Sequence, residues 1–262
     1  MQLFITSLNS GSNGNCYYIG NEREAVLVDA GISCRETELR MKRLGLSMRK
    51  VKALFISHEH SDHIRGMAVL ASKYQLPVYI TPATLQGARL GFERMQLEFI
   101  PFKAHEPVQI GGLSVTAFPK WHDASDPHSF IVAYKDSKVG VFTDIGAPCE
   151  HVIHYFQQCH AAFLEANYDD ELLERGHYPF YLKRRIRSDK GHLSNQQALE
   201  LFMRYKPAFM SHVLLAHLSK DNNCPEVVKE LFTANADDTE VVVASRYQET
   251  AVYTISCPEV LL

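Results

Sequence analysis

Within the stretch LFISHEHSDHIRG, residues 54–66, His58, His60, Asp62 and His63 follow directly on an apolar run. Imidazoles this crowded repel one another when charged and compete for water when neutral. A divalent cation removes both penalties. KALFIS reads as a buried strand, and a tight turn after it brings His58 and His60, two positions apart, toward one point. Asp62 and His63 fall where a helix begins and face a second point nearby. Assembled at random from this chain's own His and Asp frequencies, HxHxDH arises in roughly one such chain per thousand. A merely polar, His-rich loop is therefore a poor account of it.

Alternating elements must carry these residues. QLFITSL, CYYIG and AVLVDAG read as short strands separated by Gly/Asn/Ser turns. SCRE places Glu36 three residues after Ser33, which predicts a helix capped by that serine. Ile64, Met67, Ala68, Ala71 and Tyr74 recur at helical spacing, so HIRGMAVLASKY is expected to be one helix. PVYI is a strand, and TPATLQGARL a helix with Thr81 as N-cap and Pro82 in its first turn. LSVTAFPK, SFIVAYKD and KVGVFTD are strands. Beyond Pro148 helices dominate, with AAFLEA, AFMSHVLLAH and TEVVVA as strands between them. Strands in both halves with helices between predict two sheets covered by helices.

The 262 residues are 46% hydrophobic and 22% charged, the balance of a globular chain able to bury a substantial core. A formal charge of −3 excludes a global basic field, so binding to nucleic acid would need a local patch. The opening MQLFITSLNSGSNG has neither a basic segment nor a long apolar run, and no stretch is long enough to span a bilayer. Cys16, Cys34, Cys149, Cys159, Cys224 and Cys257 are scattered without a CxxC pair. They are expected to be reduced thiols, and the protein cytoplasmic and off the membrane.

SHEHSDH resembles the HxHxDH signature of the metallo-β-lactamase fold, and further landmarks of that fold appear in order. VLVDAG ends on Asp29 as the first motif does, WHDASDP offers His122, VFTDIG offers Asp144, and AHLSKDNN offers His217. SLNSGSNGNCYYI, LEANYD, KRRIRSDKGHLSN and HLSKDNN most resemble the YycJ/WalJ-like branch, a relative of the ribonuclease Z and J enzymes. The resemblance runs from the first strand to about residue 225. It implies a four-layer αββα metallo-β-lactamase sandwich, one domain over residues 1–262 without the β-CASP insertion of ribonuclease J. It also implies two divalent metal ions, zinc or manganese. His58, His60 and His122 would hold the first, Asp62, His63 and His217 the second, and Asp144 would bridge them. Imidazole and carboxylate without thiolate suit those metals. Asp29 is expected to stand behind the ligands and fix the loop of His58 and His60.

Asp62 also counts among the catalytic groups, with His192 and Glu165. Ribonuclease Z-like enzymes imply that His192 of GHLS donates a proton to the leaving oxygen, oriented by Glu165 of LEAN; a surface histidine near a helix cap is the plainer account. His212 is the rival of His217 as the late ligand. His151 and His154, three apart on a predicted helix, read as a solvated face, and no role is assigned to His105, His128, His160 or His177. Lys183, Arg184, Arg185, Arg187 and Lys190 precede His192. Such a run is usually a solvated face, yet beside a dimetal site it suits several phosphates. Arg184 and Arg185, with Ser194 and Asn195, are the expected substrate contacts. The glycines of NSGSNGN make either a phosphate-approaching loop or a plain turn.

The implied activity is phosphodiester hydrolysis on nucleic acid, DNA rather than RNA: a 5′-to-3′ DNA exonuclease serving DNA repair, acting alone or as a homodimer. Its rivals are a small-molecule phosphodiesterase, a glyoxalase II-like thioesterase or lactamase, and a non-catalytic regulatory protein. The last would normally have lost ligands, and none is missing.

Overall fold

The computed structural model describes residues 2–88 and 97–256. Arg89 and Leu90, the end of the segment read as TPATLQGARL, lie outside the described residues, as does Cys257. The strands are β1 (Gln2–Asn9), β2 (Cys16–Gly20), β3 (Ala25–Val28), β4 (Val51–Phe55), β5 (Val78–Tyr79), β6 (Phe99–Ile100), β7 (Pro107–Ile110), β8 (Leu113–Pro119), β9 (His128–Tyr134), β10 (Ser137–Phe142), β11 (Ala161–Glu165), β12 (His212–Ala216), β13 (Glu240–Val243) and β14 (Tyr253–Ser256). They form two sheets of order β14-β1-β2-β3-β4-β5-β6 and β13-β12-β11-β10-β9-β8-β7. Each sheet is antiparallel on one side and parallel on the other. In the first, β3 to β6 run parallel; in the second, β10 to β13 do. Parallel strands place all their carboxyl ends on one edge, where ligand sites of such sheets form.

Three apolar clusters define the layers. Ile5, Tyr17, Val28 and Phe55 from the first sheet interlock with Phe130, Val141, Phe163 and Leu214 from the second, forming the core between them. The outer face of the first sheet is covered by α1 (Cys34–Arg43) and α3 (Met67–Tyr74), through Met41, Met67 and Leu70. The outer face of the second is covered by α5 (Glu150–Phe156), α8 (Asn195–Tyr205) and α9 (Pro225–Thr233), through Val152, Phe202 and Phe232. The result is the expected αββα sandwich.

Local signals place the helices. Ser33 Oγ accepts from the Glu36 N–H, Thr81 caps α4 (Pro82–Gly87), and Ser194 and Gln197 form a capping box on α8. One expectation is corrected: HIRGMAVLASKY is two helices, α2 (Ser61–Ile64) and α3, broken at Arg65–Gly66. The Gly66 N–H donates to the Ala30 carbonyl at 2.7 Å. A Cβ at Gly66 would lie 1.9 Å from the Ile32 carbonyl oxygen. The break thus presses the turn that follows β3 against the loop that follows β4.

Candidate metal centre

The sequence-predicted ligands converge at the edge where the parallel strands end. His58, His60, Asp62 and His63 follow β4, His122 follows β8, Asp144 follows β10, and His217 follows β12. Asp29, Asp144 and His217 take left-handed backbone with φ of 61°, 55° and 56°. Asp and His tolerate that region better than most residues, and its strain is characteristic of functional positions. Each of these residues ends its strand in a turn that aims a side chain across the edge.

One group of donors is His58 Nε2, His60 Nδ1 and His122 Nε2, with the His60 nitrogen 3.0 Å from the first and 3.4 Å from the last. The rings are oriented from behind: His122 Nδ1 donates to the Gly191 carbonyl at 3.1 Å, and His58 Nδ1 lies 2.9 Å from Ser57 Oγ. A second group is Asp62, His63 and His217. His63 Nε2 and His217 Nε2 lie 3.6 and 3.5 Å from Asp62 Oδ2. Asp144 stands between the groups, Oδ2 3.2 Å from His63 Nε2 and Oδ1 3.9 Å from His122 Nε2. His212, at the opposite end of β12, pairs with Glu240 at 3.2 Å and is no rival to His217.

Buried carboxylates hold the outer nitrogens. Asp29 Oδ2 accepts from His63 Nδ1 at 2.7 Å and from Ser57 Oγ at 2.9 Å, while Oδ1 accepts the Ser57 N–H at 2.8 Å. It therefore holds the loop through Ser57 and orients His63 besides. Glu165 Oε1 accepts from His192 Nδ1 at 2.8 Å and from His217 Nδ1 at 3.0 Å. Its Oε2 accepts the N–H groups of Ile145 and Leu193. One carboxylate thus orients both a ligand-type histidine and the expected proton donor, whose Nε2 is turned away from it.

The donor set fits divalent metal. Asp144 Oδ2 and His217 Nε2 are buried without a well-formed hydrogen bond, met only by His63 Nε2 at 3.2 Å and Asp62 Oδ2 at 3.5 Å, and buried atoms so loosely paired are costly unless something else binds them. Burial pushes the His58 imidazole well below its ordinary pKa, and His122 down to about 3, keeping both lone pairs available. At His63 burial works against protonation, but the charges of Asp144, Asp29 and Asp62 outweigh it and hold the pKa well above the ordinary value. His217 likewise overcomes burial, through Asp144, Asp62 and Glu165, and rises to about 10. Protons on these two rings offset the carboxylate charge, and cations bound in the same place would displace them.

Several supports are residues to which the sequence reading gives no role. Asn15 Nδ2 lies 3.1 Å from His63 Nε2 and 3.3 Å from Asp62 Oδ2, and the Asn15 N–H donates to the Asp62 carbonyl at 2.7 Å. A Cβ at Gly31 would lie 1.6 Å from that carbonyl oxygen. The loop NSGSNGN is thus a buttress for the ligands. Asn167 Nδ2 donates to the His217 carbonyl at 2.7 Å, Ser10 Oγ accepts the His217 N–H at 2.7 Å, and buried Lys120 donates to the Thr143 carbonyl at 2.7 Å. Only polar residues beside the motifs (SLNS, EAN, PKWH) hinted at this.

The expected substrate contacts divide. A cleft of about 200 Å³, lined by Ser12, Asp123, Tyr178, Arg185, His192 and His217, opens onto the site. Arg185 pairs there with Asp123, whose Oδ1 is 3.5 Å from His122 Nε2. Arg184 faces outward from α7 (Phe180–Ile186). Ser194 and Asn195 are buried. Ser194 caps α8, and the Asn195 amide pairs reciprocally with that of Asn223 at 3.0 and 2.8 Å. Their polar atoms serve the fold. His151 lies beside His105 on the outer surface, ring centroids 4.9 Å apart.

The Beta-lactamase superfamily domain matches residues 24–217. The exodeoxyribonuclease YycJ of Bacillus anthracis is 36% identical over 231 residues, 87% of either chain. The exodeoxyribonuclease WalJ of Streptococcus pneumoniae is 33% identical over 224 residues, 84% of this chain and 83% of its own. Among solved structures, the metallo-β-lactamase fold protein YhfI of Bacillus subtilis superposes with a TM-score of 0.74 over 97% of this chain and all of its own, at 18% identity, a likeness of fold alone. With its ligand-type side chains in place, the chain belongs to the metallo-β-lactamase fold hydrolases of the beta-lactamase superfamily, in their YycJ/WalJ-like branch.

Proposed function

We propose that this single-domain protein is a dinuclear metal-dependent phosphodiesterase acting on DNA from the 5′ end, with a role in DNA repair. The observation that carries the reading is the cage of six donor residues around Asp144, flanked by the His192–Glu165 pair in one cleft. The names of the relatives, exodeoxyribonucleases similar over most of both chains, point the same way. His58, His60 and His122 would hold one cation, Asp62, His63 and His217 the other, and Asp144 both. Zinc or manganese bound there supplies Lewis acidity, which lowers the pKa of water and offsets charge gathering on the phosphate.

The chain's own groups do the rest. Asp62, whose carboxylate is partly open to solvent, accepts the proton of the attacking water. His192 Nε2 gives a proton to the departing sugar oxygen, with Nδ1 held on Glu165 so that the ring cannot turn away. Arg185 lines the cleft on the side where the phosphate backbone enters. The test is digestion of 5′- and 3′-end-labelled single strands, duplexes and RNA with Mn²⁺ or Zn²⁺. The expected result is early loss of the 5′ label from DNA. Turnover of thioester or lactam with DNA left intact would overturn the reading.

A further inference from the structure

The helix α7 is unusual in burying none of its residues. A helix of seven residues gains little from propensity alone, and this one does not brace the core. Its position is nonetheless fixed. The Ile186 carbonyl accepts the His192 N–H at 2.9 Å, and a Cβ at Gly191 would lie 2.1 Å from the same oxygen. The helix is therefore joined through a close backbone approach to the loop that carries the expected proton donor.

Its side chains divide between two hollows. Leu182, Arg185 and Ile186 line the cleft beside His192. Phe180, Lys183, Arg184 and Arg187, at spacings of three, four and seven, lie on the other side. There they form a groove of about 460 Å³ with Glu174 of α6 (Asp170–Arg175) and with Ser188. Glu174 engages two of these cations: its carboxylate pairs with Arg187 at 2.7 Å, and its carbonyl accepts from Lys183. Arg184 remains exposed. Phe180 is 80% exposed and its neighbour Tyr181 74%. Two adjacent aromatics turned to water on a cationic helix are costly for solubility and useless to the core.

Resting on the nuclease reading above, we propose that α7 is a single-strand platform. Unpaired bases stack on Phe180 and Tyr181 while Arg184 meets the backbone phosphates, and the strand continues past Arg185 to His192. Aromatic faces accept any base, so such a surface selects unpaired strands without reading sequence. A duplex keeps its bases stacked internally and offers these rings nothing. Charge complementarity favours a polyanion here over an apolar protein partner, because three cations and one acid line the groove together with Phe180.

The test is binding of phosphorothioate oligonucleotides, which resist hydrolysis, to the metal-loaded full chain. Three ligands are compared: a mixed-sequence single strand, the same strand without bases, and a blunt duplex. Phe180→Ala with Tyr181→Ala should weaken binding of the ordinary single strand by roughly ten-fold or more, with the salt dependence unchanged. Binding of the baseless strand and the duplex should shift less than about two-fold. Arg184→Ala should instead lower the slope of log K against log salt by about one phosphate contact on every ligand. Phe180→Trp should retain single-strand affinity and add emission, beyond that of Trp121, which the strand quenches. That last readout decides the matter should the double variant unfold early. Unchanged single-strand affinity, equal losses on all three ligands, or an unquenched Trp would each overturn the platform. A wild-type chain that binds none of the three ligands would overturn the nucleic-acid reading itself.

Discussion

Replacing Asp144 by Asn should cost metal and hydrolysis together. Asn keeps the size of the side chain and, like Asp, tolerates the left-handed backbone at this position, φ 55°. The variant therefore removes the charge without forcing the strand end to move, which Ala would do. What it loses is the anionic oxygen between the two donor groups, 3.2 Å from His63 Nε2 on one side and 3.9 Å from His122 Nε2 on the other. Burial disfavours the ionised carboxylate, yet the histidines His217 and His63 hold its pKa well below the usual range, so charge is what the site draws from it. Bound metal should fall from two ions per chain to one or fewer. Turnover should fall by roughly 10³-fold or more, corresponding to several kcal/mol of lost Lewis-acid stabilisation. Metal analysis and a hydrolysis assay on one preparation check both. Full metal content and wild-type turnover in Asp144→Asn would mean that this carboxylate is not the bridge.

His192→Ala should fail in a different way. Its ring bonds Glu165, and its Nδ1 is no closer than 3.9 Å to Asp144. Removing it leaves Glu165 bonded to His217 and to the N–H groups of Ile145 and Leu193, so no buried charge is stranded. Metal content and substrate affinity should hold while kcat falls by roughly 10²–10⁴-fold, the range for a lost general acid. The defect should shrink on a nitrophenyl phosphodiester, whose leaving group departs unprotonated, and persist on DNA. His192 does fall within a ligand-type group with Asp144, Glu165 and His217. Loss of a metal ion from the variant would therefore identify it as a ligand and remove the proton-donor role.

The ligand motif and the helix caps were legible in the sequence because both are local. HxHxDH is a loop read over six positions, and Ser33, Thr81 and Ser194 act on N–H groups within three residues of themselves. The break at Gly66 was not legible. The apolar period runs unbroken across it, and its cause is the carbonyl of Ile32, distant in sequence. The short strands β5 and β6 and the edge strands β7 and β14 owe their register to neighbours rather than to alternation. In the site, residue types announced the donors but not what orients them. Asn15, Ser10 and Asn167 look like ordinary turn residues until the sheet edges meet, and Glu165 was read as serving His192 alone though it also holds His217. Ser194 and Asn195 suggested substrate contact because they adjoin His192, and packing of α8 turned both inward.

The most direct test of a dinuclear nuclease is nucleotide release from end-labelled DNA as Mn²⁺ or Zn²⁺ is titrated into metal-stripped protein. Six donor residues grouped around the Asp144 carboxylate predict no release without metal and a rise that saturates at two equivalents per chain. Release that is full in the stripped protein, or absent at every metal loading, would contradict the account.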